Sequence, residues 1–214
     1  MHATLPLETM LRPDPAVRSV LASLPQRLLI FTNADRAHAV RCLELLELRD
    51  LFPDAEKDII CFETIMDAAS ASGLVRRGRP VVAKPSDAAV LLALAHAGVA
   101  PGEEATVAFF DDSARNVAAC AAAGVASVLV GRTGVFGVDA VAQVASVADL
   151  ARELPSLWTA HGLTPPPPRP AADAAADAAA AAMAAGLETL DQVRNALPDP
   201  RRRASLDSAA GSPR

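Results

Sequence analysis

The stretch TVAFFDDSARNV (106–117) carries the pattern that decides the fold. A continuous β-type run, 106–110, ends in the adjacent carboxylates Asp111 and Asp112, and a helical pattern follows from Ser113. Continuous runs of this kind are typical of parallel strands that are buried on both faces. The stretch therefore predicts a buried parallel strand that presents two carboxylates to the start of a helix.

The same alternation of strands and helices extends over the middle of the chain. Further β-type runs predict strands at 27–31, 58–62, 80–84 and 126–130. Helical patterns between them predict helices at 34–48, 86–97 and 113–123. Strands that alternate with helices of this length indicate an α/β fold, a Rossmann-like open parallel sheet with flanking helices and right-handed crossovers.

Composition divides the chain into three predicted regions. Residues 1–24 are short and punctuated by proline, with a helix that begins after Asp14 as N-cap and Pro15 as first residue. Residues 25–162 form the predicted α/β core. Residues 163–214 begin with a run of prolines and continue rich in alanine, which predicts an extended linker and a mostly disordered tail.

Composition also limits the classes of partner. The 214 residues carry a net charge of −5, which gives no electrostatic reason to expect nucleic acid or an anionic membrane. Cys42, Cys61 and Cys120 form no CxxC pair, which favours buried thiols in a reducing compartment over a disulfide framework or a zinc site. With neither a secretory signal nor an apolar run long enough to span a membrane, the sequence predicts a cytoplasmic protein.

Polar side chains follow the first predicted strand and end the third. In open α/β sheets ligands bind beyond the carboxyl ends of the strands. Thr32 and Asn33 follow the run 27–31, where a hydroxyl beside the opening of a helix can hold a phosphate oxygen. Lys84 ends the run 80–84 and can place its ammonium over an anion. Each also has a simpler explanation, which is helix capping by Thr32 or Asn33 and a solvated surface lysine.

The paired aspartates predict a metal site at the same edge. Asp111 and Asp112 resist ionising together unless a cation compensates them, and a hard divalent ion such as Mg²⁺ suits oxygen ligands. Ser113 and Asn116 are the predicted supporting residues, with Asn116 one helical turn on, where it can steady Asp112 or its waters. Hydroxyl, ammonium and carboxylates together are the set that holds a phosphoryl group and neutralises its charge.

Six stretches carry a resemblance to a known family: LPLETMLRPDPAVRSVLASLPQRLLIFTNADRAHAV, IICFET, AKPS, FFDDSARNV, GVD and LPSLW. They resemble the haloacid dehalogenase superfamily, in its pyrimidine 5′-nucleotidase-like branch, over about residues 5–160. The resemblance implies Mg²⁺-dependent hydrolysis of nucleotide monophosphates, with a phosphorylated small molecule as partner. It implies that Thr32 and Asn33 form the second motif and Lys84 the third. Asp111 and Asp112 correspond to the fourth, with Asp112 as the direct magnesium ligand, and residues 1–24 to a remnant of a helical cap.

The departure from the family matters as much as the match. Family members begin with a strand that ends in Asp-x-Asp, whose first aspartate attacks phosphorus, and this sequence contains no Asp-x-Asp. Asp35, expected in the first turn of a helix, and Asp14, expected as a cap, are not predicted to replace it. We therefore expect an inactive chain with weak metal binding.

The missing motif also predicts a structural defect. The first central strand is expected to be absent from between 27–31 and 106–110. Their edges would then stay open, which invites self-association, or the two strands would pair directly. The alternatives are a truncated, non-catalytic isoform that acts as a protein-interaction module, and an incomplete gene model of an active enzyme.

One glycine pattern follows the run 126–130. Gly131, Gly134 and Gly137 are spaced GxxGxxG rather than GxGxxG, so they predict a flexible loop and not a dinucleotide-binding turn.

Overall fold

The computed structural model describes residues 7–75 and 81–168. The chain divides into two units, 1–169 and 170–214, and every described residue belongs to the first. The predicted tail beyond residue 168, and Pro80 of the predicted strand 80–84, therefore lie outside the described residues.

Parallel strands form the centre of the described fold. These are β1 (Ile30–Phe31), β2 (Ile59–Ile60), β3 (Ala108–Asp111), β4 (Ala126–Val130) and β5 (Ala142–Val144). β1 pairs with β2 in one sheet, and β3, β4 and β5 form a second sheet in that order. Every pairing is parallel, which confirms the predicted α/β class.

Helices connect and flank the strands, and they are numbered here in chain order. They are α1 (Leu7–Met10), α2 (Pro15–Ser23), α3 (Arg36–Leu45), α4 (Ala55–Asp58), α5 (Phe62–Ala71), α6 (Asp87–Ala97), α7 (Ala114–Ala122), α8 (Leu150–Glu153) and α9 (Ser156–Thr159). Short 3-10 turns cover Arg49–Leu51, Glu104–Thr106 and Val147–Asp149. The predicted cap at Asp14 is confirmed, because its carboxylate accepts from the backbone N–H groups of Ala16 and Val17. Within the described ranges no helix has the length and apolar character needed to cross a membrane.

The two sheets meet without pairing. β1 and β3, predicted to flank the absent strand, share no backbone ladder in the described part of the chain. Instead the Phe31 and Phe109 rings face each other across the break, with centroids 6.2 Å apart and planes tilted by 58°. Of the two predicted outcomes, open edges and direct pairing, the structure therefore shows open edges.

The predicted strand at 80–84 is wrong over the residues described. Residues 81–83 have no regular structure, and Lys84 and Pro85 lie in a turn. Val81 is exposed, and Val82 packs against the cluster around Ile60 without any strand pairing. The predicted strand at 27–31 shortens to Ile30–Phe31, because its partner β2 offers only Ile59 and Ile60 between α4 and α5.

Burial is strongest where α2 and α9 cover the larger sheet. Trp158 of α9 packs with Val20, Val128, Val144 and Leu150 in one cluster of buried side chains. Burying each large apolar side chain contributes about 1.5–3 kcal/mol. α2 is thereby fixed against the larger sheet, in which β3 ends at Asp111.

Candidate functional site

An ammonium group lies between the two sheets. Lys84 Nζ donates to the Phe31 carbonyl at the end of β1 and to Asp111 Oδ2 at the end of β3, each at 2.7 Å. The side chains of Lys84 and Asp111 are only 9% and 7% exposed. The ammonium also lies 5.0 Å from the centre of the Phe31 ring and 5.3 Å from that of Phe109, within reach of a cation–π attraction. One buried cation thus joins the carboxyl ends of strands that share no backbone bond.

Asn33 fixes the turn that carries this lysine. The Lys84 backbone N–H donates to Asn33 Oδ1 at 2.9 Å, and Asn33 Nδ2 donates to the Lys84 carbonyl at 3.1 Å. These two bonds hold in place a segment that no strand pairing supports. Asn33 therefore positions Lys84, and both the oxygen and the nitrogen of its side-chain amide are used in doing so.

Thr32 stands at the open end of β1. Its backbone N–H donates to the Ile60 carbonyl at 2.9 Å, which extends the pairing with β2, and its hydroxyl oxygen accepts from the Ala34 N–H at 3.1 Å. A hydroxyl that accepts in this way keeps its own proton for another partner.

The N-cap of α3 tests the alternative explanation for Thr32 and Asn33, which is that one of them merely caps this helix. Asp35 is the N-cap of α3, and its carboxylate accepts from the His38 N–H at 2.7 Å. The capping explanation for Thr32 and Asn33 is therefore wrong. Asp35 itself lies one position before the first turn in which it was predicted.

Asp111 is anchored through both carboxylate oxygens. Oδ1 accepts from the Ser113 N–H at 2.8 Å and from Asn116 Nδ2 at 2.9 Å, while Oδ2 accepts from Lys84. Asn116 therefore supports Asp111 through its Nδ2, whereas it was predicted to steady Asp112 or its waters. The reason is that the side chain of Asp111 faces the first turn of α7, where Asn116 lies.

Asp112 supplies the exposed carboxylate of the site. Asp111 is neutralised by Lys84, so the net negative charge at this edge comes from Asp112. Mg²⁺ commonly binds one or two carboxylates, keeps several waters and takes phosphate oxygens as further ligands. Within 7–75 and 81–168 no three His, Cys, Asp or Glu side chains converge on one point. The donor set fits Mg²⁺ held by Asp112 with water and phosphate, and it does not fit an ion enclosed by protein ligands.

A buried thiol lies behind the ion pair. Cys120 of α7 is buried, and its pKa is raised to about 11 by desolvation, while Lys84 lowers it and Asp111 raises it to a smaller extent. Cys61 is also buried and Cys42 is half-buried, so the prediction of buried thiols holds for two of the three. At neutral pH Cys120 stays protonated and is not a nucleophile.

A separate surface depression of about 760 Å³ contains none of these residues. Its lining is Arg18, Glu47, Arg49, Asp50 and Pro53. The Arg18 guanidinium is committed to Asp50 and to the Glu47 carbonyl, and Arg49 donates to the carbonyl of Phe52. The depression therefore contains none of the predicted site residues, and its arginines are already engaged.

The sequence pattern did not reveal how the site is held together. The pattern predicted that Thr32, Lys84 and Asp111 lie at the carboxyl edge of the strands, and in the structure Lys84 bonds to Asp111 and to the carbonyl of Phe31, next to Thr32. It gave no signal for the Phe31 carbonyl as a partner of Lys84, because a backbone group has no sequence signature. It also gave no signal for the pairing of the Asn33 amide with the Lys84 backbone.

The fold and site define an α/β protein of the parallel type, with a lysine and carboxylates at the carboxyl ends of its strands. A protein-family model described as a haloacid dehalogenase-like hydrolase matches residues 2–124, which is more than half of the chain. The matched span includes the residues of the site from Thr32 to Asn116. The chain belongs to the haloacid dehalogenase-like hydrolase family.

Proposed function

We propose that this chain binds phosphate monoesters, nucleoside monophosphates of the pyrimidine type in particular, together with Mg²⁺, and that it does not hydrolyse them unaided. The observation that supports the proposal is the position of the Lys84 ammonium, held at the ends of β1 and β3 between Thr32 and Asp112. Membership in the haloacid dehalogenase-like hydrolases supports a phosphatase-type ancestry.

The proposed roles follow from the bonds that each side chain already makes. Lys84 uses two of its three N–H groups on Phe31 and Asp111, so one is left for a phosphate oxygen. Thr32 donates its hydroxyl proton to a second oxygen. Mg²⁺, held by Asp112, supplies the positive charge that the neutral Lys84–Asp111 pair does not. Asn33, Ser113 and Asn116 position these groups.

The absence of unaided hydrolysis rests on the carboxylates and thiol at the site. Covalent phosphoryl transfer needs an available nucleophile. The sequence has no Asp-x-Asp, Asp111 is bonded through both oxygens, Asp35 caps α3, and the proposal assigns Asp112 to Mg²⁺. Cys120 is buried and protonated.

The experiment separates binding from turnover. Phosphorus NMR of cytidine 5′-monophosphate, titrated with the full chain and Mg²⁺, is expected to show line broadening that Asp112→Asn and Thr32→Val weaken. Lys57→Met, which changes a lysine outside the site, is the control and is expected to leave the broadening unchanged. Circular dichroism confirms that each variant is folded.

Released phosphate is measured in the same samples. Enzymes commonly turn over about 1–10³ times per second, and we expect no release approaching that range. Turnover at such rates would overturn the proposed inactivity. Equal broadening by wild type and both site variants would overturn the proposed binding site.

A second candidate function is self-association as an interaction module. The observation that favours it is the open edge of β3, which has no backbone partner on the side of β1 within the described residues. Light scattering over a range of concentrations tests it. A mass that rises to twice that of the chain supports pairing of two copies, and a constant mass of one chain rejects it.

A further inference from the structure

One aromatic side chain is almost wholly exposed. Phe136 is 98% exposed in the loop that joins β4 to β5. It lies between Gly134 and Gly137, whose φ angles of 72° and 74° are costly for other residues. A single exposed apolar residue is ordinary on a protein surface, so exposure alone assigns no role. What distinguishes Phe136 is how and where its loop is held.

The loop is tied to the sheet at both ends and near its tip. The Gly131 N–H donates to the Val144 carbonyl at 2.9 Å, and the Val141 N–H donates to that of Ser127 at 2.8 Å. Between these ends the side-chain amide of Gln143 makes two bonds to the backbone of Val135. It accepts from the Val135 N–H at 2.8 Å and donates to its carbonyl at 2.7 Å. The glycine pattern predicted a flexible loop, but these bonds fix the residue directly before Phe136.

The position of the loop follows from the strand register. Asp111, Leu129 and Gln143 occupy one row across β3, β4 and β5. Neighbouring strands are about 4.8 Å apart, so Gln143 lies about 10 Å from Asp111 along this row. Side chains in one row of a parallel sheet project from the same face. Phe136 therefore follows a residue that is held beside β5 on the Asp111 face, in a sheet whose ligands are expected beyond the carboxyl ends of the strands.

We infer that Phe136 is the stacking platform for the aromatic base of a nucleoside monophosphate whose phosphate is held at Thr32, Lys84 and Asp112. The inference rests on the proposed function. It assigns a contact to the base, which the proposed phosphate site does not touch. Bases stack on aromatic side chains because every base has a π-face, and the contact needs no hydrogen-bond code. A platform of this kind distinguishes phosphate esters of nucleosides from those of simple sugars, and it discriminates weakly among the bases.

The test uses two ligands that differ in the base. Cytidine 5′-monophosphate and ribose 5-phosphate are titrated into the full chain with Mg²⁺. Saturation-transfer NMR reports on the base protons, and phosphorus NMR reports on the phosphate. Wild type is expected to transfer saturation to the base and to bind the nucleotide about ten-fold more tightly than the sugar phosphate. Phe136→Ala is expected to remove both effects, and Phe136→Trp to restore them.

Val141→Ala is the matched control. Val141 is another exposed apolar residue of the same loop, at 69%, and its loss is expected to change neither ligand. Binding of ribose 5-phosphate should be the same in wild type and Phe136→Ala, because that ligand has no aromatic base to stack.

Each result decides between the two proposals. If both ligands bind equally, with equal dependence on Asp112, the platform is rejected and the proposed phosphate site stands. If neither ligand binds, both proposals are rejected. If Phe136→Ala changes the mass measured by light scattering and leaves nucleotide binding intact, the ring belongs to a protein contact and the platform is rejected.

Discussion

Lys84 Nζ and Asp111 Oδ2 are 2.7 Å apart, and both side chains are more than nine-tenths buried. Taking two charges out of water costs several kcal/mol per ion, and the attraction between them offsets this cost only when further hydrogen bonds satisfy the remaining atoms. Here the Phe31 carbonyl, the Ser113 N–H and the Asn116 amide supply those bonds. The pair is therefore sensitive to the loss of either member.

Lys84→Met is expected to lower the free energy of unfolding by about 3–5 kcal/mol, because it leaves the Asp111 carboxylate buried without its cation. Urea denaturation measures the loss. Lys57→Met removes the lysine of a solvent-exposed pair with Asp54 and is expected to leave the unfolding midpoint nearly unchanged. Adding Asp111→Leu to Lys84→Met should recover part of the stability, and equal losses in the single and double variants would contradict this account.

Asn33→Ala is expected to release the turn at Lys84. The Lys84 N–H loses its acceptor, so its hydrogen exchange should accelerate, and the loss of two hydrogen bonds should cost about 1–3 kcal/mol. Exchange measured by NMR resolves the effect at single residues. The Gly124 N–H, which donates to the Ala121 carbonyl at the end of α7, serves as the internal reference. Unchanged exchange at Lys84 would show that Asn33 does not hold the turn.

Cys120 is expected to make stability fall at alkaline pH. Burial raises its pKa from an ordinary 9.0 to about 11, so between these values the unfolded chain has released a proton that the folded chain retains. The contribution is complete below pH 9 and is lost as the pH rises towards 11, by about 1–3 kcal/mol in all. Urea denaturation at pH 8 and pH 10 measures this difference. Cys120→Ala should be less stable at both values and should show a smaller difference between them.

Trp158 is expected to report on the docking of α2. It is the one tryptophan of the chain, it is 1% exposed, and its Nε1–H donates to the Ser23 carbonyl at 3.0 Å. Its emission should therefore be blue-shifted in the folded protein and move to the red on unfolding. Trp158→Ala should cost about 3–5 kcal/mol through the cavity it leaves. Ser23→Ala keeps the carbonyl acceptor and should cost under about 1.5 kcal/mol; a larger loss would contradict this assignment.

Sequence reasoning located the elements that are bounded by strong local signals. β4 coincides with the predicted run 126–130, because a continuous apolar segment ends there at a glycine. α6 was expected from Ser86, which caps it, and ends at Gly98 with a φ of 81°, as its sequence signals indicate. Each of these boundaries depends on residues that lie next to one another in the chain.

The elements that were predicted wrongly, or not at all, depend on contacts between residues far apart in the chain. The run 80–84 has the composition of a strand, but Val81 remains in solvent and Lys84 is held by an amide 51 residues away. α5 was not predicted because it follows Cys61, which is not a usual N-cap residue, and the Cys61 N–H is satisfied by the Thr64 hydroxyl at 3.4 Å. β5 contains a polar Gln143 whose purpose is visible only once the Val135 loop is seen.

In the candidate site, too, local signals were predictable from the sequence and tertiary contacts were not. The pattern gave the residue types at the strand ends, since each follows an apolar run. It could not assign Asn116 to Asp111 rather than Asp112, because that choice depends on the direction in which the last side chain of β3 points.

The break between the two sheets has a mechanical consequence. Backbone ladders tie β3, β4 and β5 together, whereas β1 and β3 are joined only through side chains within the described residues, among them the Phe31 and Phe109 rings and the Lys84 ammonium. Side-chain contacts tolerate small displacements that a ladder does not, so we expect the two sheets to shift against each other more readily than the strands within either sheet. Thr32 and Asp112 stand on opposite sides of that break, so we expect such a shift to change the distance between them.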